Sequence, residues 1–595
     1  MIQKGKILQL DKKTKEKFTK LKINTFCELA LLTPHSYEDL TLHDTLETSK
    51  AQVIDASVES VYRATNSIQI TFYAHNLGYQ ITGVLFRPKP YMLHQFQEGD
   101  REYFYGVLDC KLGKCTMAMP RKVTNVGAIM PKYKTILRAD VMQRLVQKTL
   151  TQAVLEEEGL NKNIAEEILK IHFPKEIINF KELNEETINA LKYLELFTYM
   201  KELSTKRRYF KTLVSKKVEY KEFCNSLPFS LTKEQINTIN DIQKDFLKEV
   251  ASKRMIVGDV GSGKTMVILA SAFMIAKQKS ILMAPTTILA NQLYDEAIKF
   301  LPFLKIILVT NKTKKIDLYE YDFIIGTHAI LYRDLPKVGL VMVDEQHRFG
   351  TMQRNKLEKL VSDGEIKPHF LQFSATPIPR TQAMIETAHI DVSLITSTPF
   401  KKDITSKVIH KSDFKDLLLH IENELEKQNQ VLLVYPLVEQ SEMINYQSID
   451  EARSFWEKKF KNVYVTHGKD KEKEAVLQEF SQKGNILIAT TVVEVGISLP
   501  KLSTVIIVGA ERLGLSTLHQ LRGRVSRTGL KGYCFLYTNQ DTSHRLDMFC
   551  KTTSGFDIAN LDLKYRKGGD LLRGSNQSGA QFKWIDLAQD LEIVK

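Results

Sequence analysis

The sequence has no long hydrophobic run. Its longest clearly apolar stretch, Met266 to Ala276, has eleven residues, whereas a helix that spans a bilayer needs about 20. The first residues, MIQKGKILQLDKKTKEK, are basic but carry neither an apolar core nor a small-residue cleavage site, so we expect no secretion signal. These absences predict a cytoplasmic protein with no membrane partner.

Cysteine is also scarce, with six residues in the chain. The close pair Cys110 and Cys115 has neither a second pair nor histidines at the spacing of a zinc site. We therefore expect all six cysteines to be reduced thiols rather than a disulfide framework. No low-complexity tract and no repeat of solenoid period is visible, which excludes a repeat protein.

Length and charge set the broad class. A chain of 595 residues is too long for one core and suggests roughly four domains of about 150 residues each. The formal net charge of +14 fits a polyanionic partner, because Lys and Arg bind phosphate backbones by releasing counterions. A solvated basic surface is the alternative explanation of the same charge.

The spacing of apolar residues divides the N-terminal part of the chain into three segments. Helical spacing with interleaved lysines marks residues 1–48. Alternation of period two, as in Ile68–Phe72, predicts short strands and a small antiparallel barrel in residues 49–130. Helical spacing returns in residues 131–225, which we interpret as a helical linker.

Strands alternate with helices in the rest of the chain. Apolar strands and amphipathic helices alternate over residues 226–405 and again over residues 406–545, which predicts two tandem α/β lobes built on parallel sheets, with a cleft between them. Residues 546–595 are rich in Gly, Asp and Lys and predict a helix followed by a long loop.

The segment GDVGSGKT matches the P-loop pattern and lies between an apolar strand and an apolar helix. Its glycines let the backbone turn and aim N–H groups at phosphate oxygens at a helix N-terminus. Lys264 would reach the β- and γ-phosphates, and the Thr265 hydroxyl would hold Mg²⁺. A chance Gly-rich turn is the alternative. The predicted nucleotide-binding residues are Gly258, Gly261, Ser262, Gly263, Lys264 and Thr265.

Two carboxylates follow the predicted strand Leu340–Val343. Asp344 would anchor Mg²⁺ and Glu345 would polarise the attacking water, at the strand edge where α/β sheets bind ligands. Ser374 and Thr376 follow the next strand and are suited to linking the phosphate state to lobe movement. A simple hydroxyl cap at a strand end would look the same.

The second lobe carries Arg524 and Arg527 in the segment QLRGRVSR. Arginines three residues apart share a helical face, so we expect both to point at a γ-phosphate across the cleft. A solvated basic helix is the alternative interpretation.

With these motifs the chain resembles superfamily 2 helicases, and closely the RecG family of branched-DNA helicases. The motifs that carry the resemblance are LPF, LT and Gln235 before the P-loop, GDVGSGKT, APTTILANQ from Ala284, GTHAI from Gly326, DEQHRFG from Asp344, SATPIPR from Ser374, TVVEVG from Thr491 and ERLGLSTLHQLRGRV from Glu511.

The resemblance implies two RecA-like motor lobes preceded by an OB-fold wedge domain with flanking helices, and it implies ATP and Mg²⁺ as cofactors. It places Gln235 among the nucleotide-binding residues and Phe86 at about the position of the family's aromatic that stacks on a base. Phe86 also fits a core position at a strand end. Residues 546–595 resemble the family's C-terminal hairpin and coupling loop. The residues assigned to DNA contact or coupling are Phe86, Ser374, Thr376, Gln520, Asp562, Arg566 and Gln577.

Four departures from the family pattern stand out. Ser498 replaces a usual Asp, Ser526 replaces a Gly between the two arginines, and Lys567 begins a changed stretch of the tail. These changes put contacts to the nucleotide and the coupling of ATP hydrolysis to movement in question. The helical region at the N-terminus is short for the family, so we expect one helical bundle to be missing.

The resemblance implies an ATP-driven translocase on double-stranded DNA. It would bind forks and four-way junctions and remodel stalled replication forks and recombination intermediates in the bacterial cytoplasm, close to the nucleoid. We expect a monomer, and an interaction with a single-strand-binding protein is not readable from the sequence. Two alternatives are an RNA helicase of the same superfamily and a weakly active motor that serves as a structural DNA-junction binder.

Overall fold

The computed structural model describes residues 11–64, 66–89, 95–111, 113–180, 182–205, 207, 209–212, 219–362, 364–375, 387, 390–400, 402–436, 446–468, 470, 472–490, 499–526, 529–573, 582–586 and 590. The chain divides into two compact units, residues 1–202 with 581–586 and 595, and residues 203–580 with 587–594. Among the described residues, no helix combines the length and the apolar character needed to cross a bilayer.

A closed five-stranded barrel is the main β-structure of the first unit. Side chains at alternating positions fill its interior, among them Ile70, Phe72 and Phe104, as the period-two pattern predicts. The strands follow one another around the barrel in the order Lys50–Arg63, Ser67–Ala74, Tyr79–Phe86, Lys114–Lys122 and Arg101–Lys111.

One strand pair of the barrel differs from the expectation of a purely antiparallel barrel. Tyr79–Phe86 pairs with Lys114–Lys122 in parallel, whereas the other pairs are antiparallel. The strands Arg101–Lys111 and Lys114–Lys122 form an antiparallel hairpin, and Lys114–Lys122 closes the barrel by pairing with Tyr79–Phe86, which runs in the same direction. This five-stranded barrel confirms the predicted OB-fold.

The expectation that all six cysteines are reduced is wrong for Cys110 and Cys115, which form a disulfide. The two residues face each other in the antiparallel hairpin, with Cα atoms 4.1 Å apart. Directly opposed residues of neighbouring strands bring their Cβ atoms close together, a relation that sequence spacing alone does not reveal. The free cysteines are Cys27, Cys224, Cys534 and Cys550.

Helices pack into a separate core in the first unit. This core includes His172, whose buried ring interacts with the Tyr133 hydroxyl at 2.8 Å and the Ala30 carbonyl at 2.8 Å. Two short strands, one before and one after the barrel strands in the sequence, form an antiparallel pair: Ser36–Asp39 and Ile129–Lys132. The helices are Lys12–Leu21, Phe26–Ala30, Ala139–Thr149, Gln152–Glu157, Lys162–His172 and Glu185–Thr205, which runs on into the second unit.

The first lobe of the second unit is built on a seven-stranded sheet in which neighbouring strands are parallel. Its strands follow the order Ile306–Val309, Phe323–Gly326, Ser280–Met283, Leu340–Val343, His369–Ser374, Lys253–Gly258 and Asp391–Ile395. Its helices are Lys221–Ser226, Lys233–Phe246, Lys264–Met274, Thr287–Phe300 and Thr351–Val361, with 3₁₀ turns at Ala276–Gln278, His328–Tyr332 and Gln346–Arg348.

The second lobe is built on a six-stranded parallel sheet. Its strands follow the order Ile404–Ile409, Gly532–Tyr537, Leu502–Val508, Gln430–Val434, Ile486–Ala489 and Val463–Thr466. Its helices, with those that follow it, are Phe414–Glu426, Ile449–Lys459, Lys473–Lys483, Leu515–Arg522, His544–Lys551 and Gly555–Arg573, with 3₁₀ turns at Lys411–Asp413 and Ala510–Arg512. Two parallel-sheet lobes confirm the predicted fold class.

Candidate nucleotide site and motor core

The P-loop follows the buried strand Lys253–Gly258 and leads into the helix Lys264–Met274, as the sequence predicts. Gly263 adopts a left-handed conformation with φ of 76°, and a Cβ atom there would collide with the Gln235 amide. The backbone conformation therefore favours glycine, and any other residue would also displace the Gln235 amide.

The residues of the loop fit a phosphate group. The Ser262 hydroxyl is buried and has no hydrogen-bond partner among the described residues. The Lys264 ammonium donates to the carbonyls of Gly258 at 2.8 Å and Asp259 at 3.1 Å. A phosphate bound at the helix N-terminus would offer oxygens to both groups, so the loop suits a nucleoside triphosphate. Gly261 and Thr265 lie in the same loop and at the start of its helix.

Gln235 contacts the P-loop itself. Its side chain forms a capping box with Thr232 at the start of the helix Lys233–Phe246, and its amide nitrogen donates to the Ser262 carbonyl at 2.9 Å. The structure thus brings this predicted nucleotide-binding residue next to the loop, where it holds the Ser262 peptide.

Asp344 and Glu345 lie at the end of the strand Leu340–Val343, in the same sheet as the P-loop strand. Burial and then the charge of Glu345 raise the pKa of Asp344, whereas the charge of Lys264 acts to lower it. The carboxylate of Asp344 and the hydroxyl of Thr265 are oxygen donors of the kind that Mg²⁺ prefers, and phosphate oxygens and waters commonly complete its shell.

Glu345 connects the acidic pair to the segment after the next strand. It adopts a left-handed conformation with φ of 49°, and its Oε2 accepts a hydrogen bond from the Ala375 amide at 3.1 Å. The sequence predicts roles for the Ser374 and Thr376 hydroxyls of this segment, but not for the Ala375 amide, because a backbone amide has no sequence signal. Ser374 is buried at the end of its strand, and Thr376 lies outside the described residues.

The expectation that Arg524 and Arg527 share a helical face is wrong for Arg524. The helix Leu515–Arg522, called here the arginine helix, ends before it, and Arg524 is buried in the following turn. Gly523, which caps the helix, lies close to Val260 of the P-loop. Ser526 has a φ of 62°, which no right-handed helix allows, so the helix cannot continue through it. Gln520 is buried on the arginine helix, and Arg527 lies outside the described residues.

The helix Gly555–Arg573, called here the C-terminal helix, is tied to the arginine helix. Asp562 accepts hydrogen bonds from the Leu515 amide at 3.1 Å and the Ser516 hydroxyl at 3.3 Å, so it caps the arginine helix. The predicted coupling residue therefore touches the helix that leads to Arg524. Gln577, Ser498 and the side chains of Arg566 and Lys567 lie outside the described residues.

Phe86 is the last residue of its barrel strand and is 60% exposed. This exposure argues against the alternative that Phe86 is a core residue. An exposed aromatic ring on an OB-fold barrel is a feature that suits stacking on a nucleic-acid base.

A parallel-sheet lobe with a P-loop and an acidic pair, followed by a second parallel-sheet lobe with a buried arginine, defines the two-lobed motor core of a helicase. Residues 232–385 match the family model of DEAD/DEAH box helicases, and residues 411–529 match the helicase conserved C-terminal domain.

Similarity to curated proteins shows which family of helicases the chain belongs to. The chain is 44% identical over 584 residues to the ATP-dependent DNA helicase RecG of Helicobacter pylori (strain J99), covering 95% of this chain and 94% of the relative. It is 33% identical over 651 residues to RecG of Aquifex aeolicus, covering 97% and 80%. A solved structure of RecG bound to a three-way DNA junction matches 98% of this chain and 84% of that chain, with a TM-score of 0.56 and 28% identity. The chain belongs to the RecG family of ATP-dependent DNA helicases, as predicted.

Proposed function

We propose that this protein uses ATP to move along double-stranded DNA and to remodel branched DNA, namely forks and four-way junctions, in repair and recombination. The observation that carries the proposal is near-full-length similarity to RecG proteins, one of which is solved on a three-way DNA junction. An OB-fold barrel with an exposed Phe86 in the same chain supports it. The family relatives are DNA helicases, so an RNA substrate is not favoured.

The hydrolysis site would work through charge and position. Lys264 leaves the loop carbonyls to bind the β- and γ-phosphates, and Glu345, held by the Ala375 amide, orients the attacking water. Thr265 and Asp344 would hold Mg²⁺, which when bound neutralises phosphate charge. Arg524 would stabilise the γ-phosphate from the second lobe, with Arg527 as its predicted partner.

Movement would follow from the contacts of the arginine helix. A change at the γ-phosphate that shifts Arg524 also shifts the helix before it, and Asp562 passes this shift to the C-terminal helix. Arg566 and Gln577 are proposed to act further along this tail, and Ser374, Thr376 and Gln520 between the lobes. The DNA contacts would address phosphates rather than bases, because a motor steps past every sequence. We also propose that the protein acts as a monomer in the cytoplasm, close to the nucleoid.

ATP hydrolysis tests the choice of nucleic acid. We would measure the rate with a four-way junction, a forked duplex, a linear duplex and a single-stranded RNA. The expected result is strong stimulation by the branched DNAs, weaker stimulation by the linear duplex and none by RNA. Glu345→Gln should abolish hydrolysis with every substrate, whereas Glu426→Gln, an exposed change in the second lobe, should leave all rates as in the native protein. Equal stimulation by RNA and forked DNA would refute the proposal.

A second measurement separates a motor from a structural junction binder. The Lys264→Ala variant should still bind a four-way junction but should lose its processing. If that variant processes junctions as the native protein does, the structural-binder alternative is correct.

A further inference from the structure

The second residue of the P-loop, Asp259, faces the second lobe and not the phosphate side of the loop. It is buried, and its Oδ1 accepts a hydrogen bond from the His519 ring at 2.5 Å. Its Oδ2 accepts a hydrogen bond from the Gly555 amide at 2.9 Å. One carboxylate of the nucleotide-binding loop therefore binds both the arginine helix and the first residue of the C-terminal helix.

The partners of His519 define its tautomer. Its Nδ1 lies 3.2 Å from a guanidinium nitrogen of Arg522, and a guanidinium only donates, so Nδ1 must accept. Nε2 then carries the hydrogen and donates it to Asp259. Burial lowers the pKa of His519, so the ring is a neutral bridge between a carboxylate and a guanidinium.

Arg522 closes this chain of contacts into a ring. Its guanidinium donates to the carbonyls of Phe549 at 3.1 Å and Thr553 at 3.4 Å, and it lies 4.2 Å over the Phe549 ring. Thr553 is two residues before Gly555, whose amide returns to Asp259. The ring formed by Asp259, His519, Arg522 and residues 549–555, called here the Asp259 ring, joins four elements of the motor: the P-loop, the arginine helix, the helix His544–Lys551 and the C-terminal helix.

The same surfaces also touch through van der Waals contact. A Cβ atom at Gly523 would lie 2.8 Å from the Val260 side chain, so the P-loop and the end of the arginine helix are in close contact. Gly523 directly precedes Arg524. A displacement of the loop main chain at Asp259 and Val260 is therefore transmitted to the turn that holds Arg524.

Nucleotide binding has a direct route into this ring. Lys264 donates to the main-chain carbonyl of Asp259 at 3.1 Å, and a phosphate that attracts Lys264 removes this hydrogen bond. The Asp259 carbonyl then keeps the hydrogen bond from the Ser262 amide at 3.0 Å, while the Asp259 side chain is held by His519 and Gly555.

We propose that Asp259 is a positioning residue that reports the nucleotide state of the P-loop, through His519, to the arginine helix and the C-terminal helix. This inference rests on the proposed function and specifies a route by which hydrolysis is coupled to movement. The carboxylate is needed because its two oxygens accept at once from the His519 ring and from the amides of Val260 and Gly555. An asparagine at this position has one acceptor oxygen and turns an NH₂ group towards the other donor.

The test measures coupling rather than activity alone. For each variant we would determine the KM and kcat of ATP hydrolysis with a four-way junction and the number of base pairs unwound per ATP. Asp259→Asn removes one acceptor, His519→Phe removes both ring nitrogens, and His519→Gln keeps an N–H donor near the position of Nε2. Asp295→Asn, an exposed change in the first lobe, is the matched control.

We expect Asp259→Asn and His519→Phe each to lower the base pairs unwound per ATP about tenfold, with a KM for ATP within about threefold of the native value. The double variant should unwind no fewer base pairs per ATP than the worse single variant, because both substitutions break the same Asp259 ring. His519→Gln should retain at least a third of native coupling, and Asp295→Asn should match the native protein.

Three results would overturn the inference: native coupling in Asp259→Asn, losses that multiply in the double variant, or a rise in the KM for ATP that accounts for the whole loss. If Asp259→Asn or His519→Phe fails to fold, folded His519→Gln still decides, since a loss of coupling of about tenfold in this variant contradicts the donor role. If the native protein unwinds no junction, the proposed function fails, and DNA stimulation of ATP hydrolysis in the same variants still tests the ring.

Discussion

Ser526→Gly should stabilise the motor unit. Ser526 has a φ of 62°, and its side chain is buried at 3% exposure. Its hydroxyl has no hydrogen-bond partner among the described residues. The residue thus combines a backbone conformation that disfavours a Cβ atom with a buried, unsatisfied polar group.

The magnitude follows from three terms. Relief of the left-handed conformation contributes about 1 kcal/mol, and removal of the buried hydroxyl contributes about 1–2 kcal/mol. The greater freedom of glycine in the unfolded chain costs about 0.5–1 kcal/mol. The expected net gain is about 1–2.5 kcal/mol in the free energy of unfolding. Ser526→Ala should gain only the hydroxyl term, since alanine keeps the strained φ.

Thermal and urea unfolding of the full chain, followed at the transition of the motor unit, would measure this gain. Ser454→Gly is the matched control, because Ser454 is exposed inside the helix Ile449–Lys459 and glycine there should cost about 0.5–1 kcal/mol. A loss of stability in Ser526→Gly, similar to that in Ser454→Gly, would refute the reasoning.

The stability of the first unit should fall as the pH falls from 6.5 towards 4, because burial lowers the pKa of His172 to about 4. The unfolded chain binds this proton more tightly than the folded chain does. Once the pH has fallen below both pKa values, the free energy of unfolding is lower by roughly 3 kcal/mol. The free energy of unfolding of the His172→Gln variant should not fall with pH in this range, and an unchanged pH dependence would contradict the lowered pKa of His172. Asp562→Ala should destabilise the motor unit by about 1–2 kcal/mol in urea unfolding, since it removes the cap on the Leu515 amide; Asp557→Ala, on the same helix, is its control, and equal effects would contradict the cap. Phe86→Ala should slow junction unwinding several-fold without changing the melting temperature, because the ring is 60% exposed. Native unwinding in that variant would exclude a stacking role, and Phe86→Trp should retain activity.

Local sequence patterns predicted much of the fold and of the site. The strand before Gly258, the helix after Lys264 and the acidic pair at Asp344 depend on residues next to one another in sequence, and the structure places each element where its pattern predicts. Period-two alternation likewise predicted the barrel strands.

Contacts between distant segments explain what the sequence did not reveal. The arginine helix ends at Arg522, and the next residue, Gly523, lies close to Val260 of the other lobe. The bond between Asp259 and His519 joins residues 260 positions apart, and no spacing rule covers such a distance. The disulfide of Cys110 and Cys115 depends on strand register, which the turn between them determines.

The measurement that tests the central claim most directly is ATP-dependent unwinding of a synthetic four-way junction beside a simple tailed duplex of the same arm sequence, with Glu345→Gln as the control. We predict rapid unwinding of the junction, little action on the tailed duplex, and no unwinding of either substrate by Glu345→Gln. Equal unwinding of both substrates, or junction unwinding that persists in Glu345→Gln, would contradict an ATP-driven enzyme that acts on branched DNA.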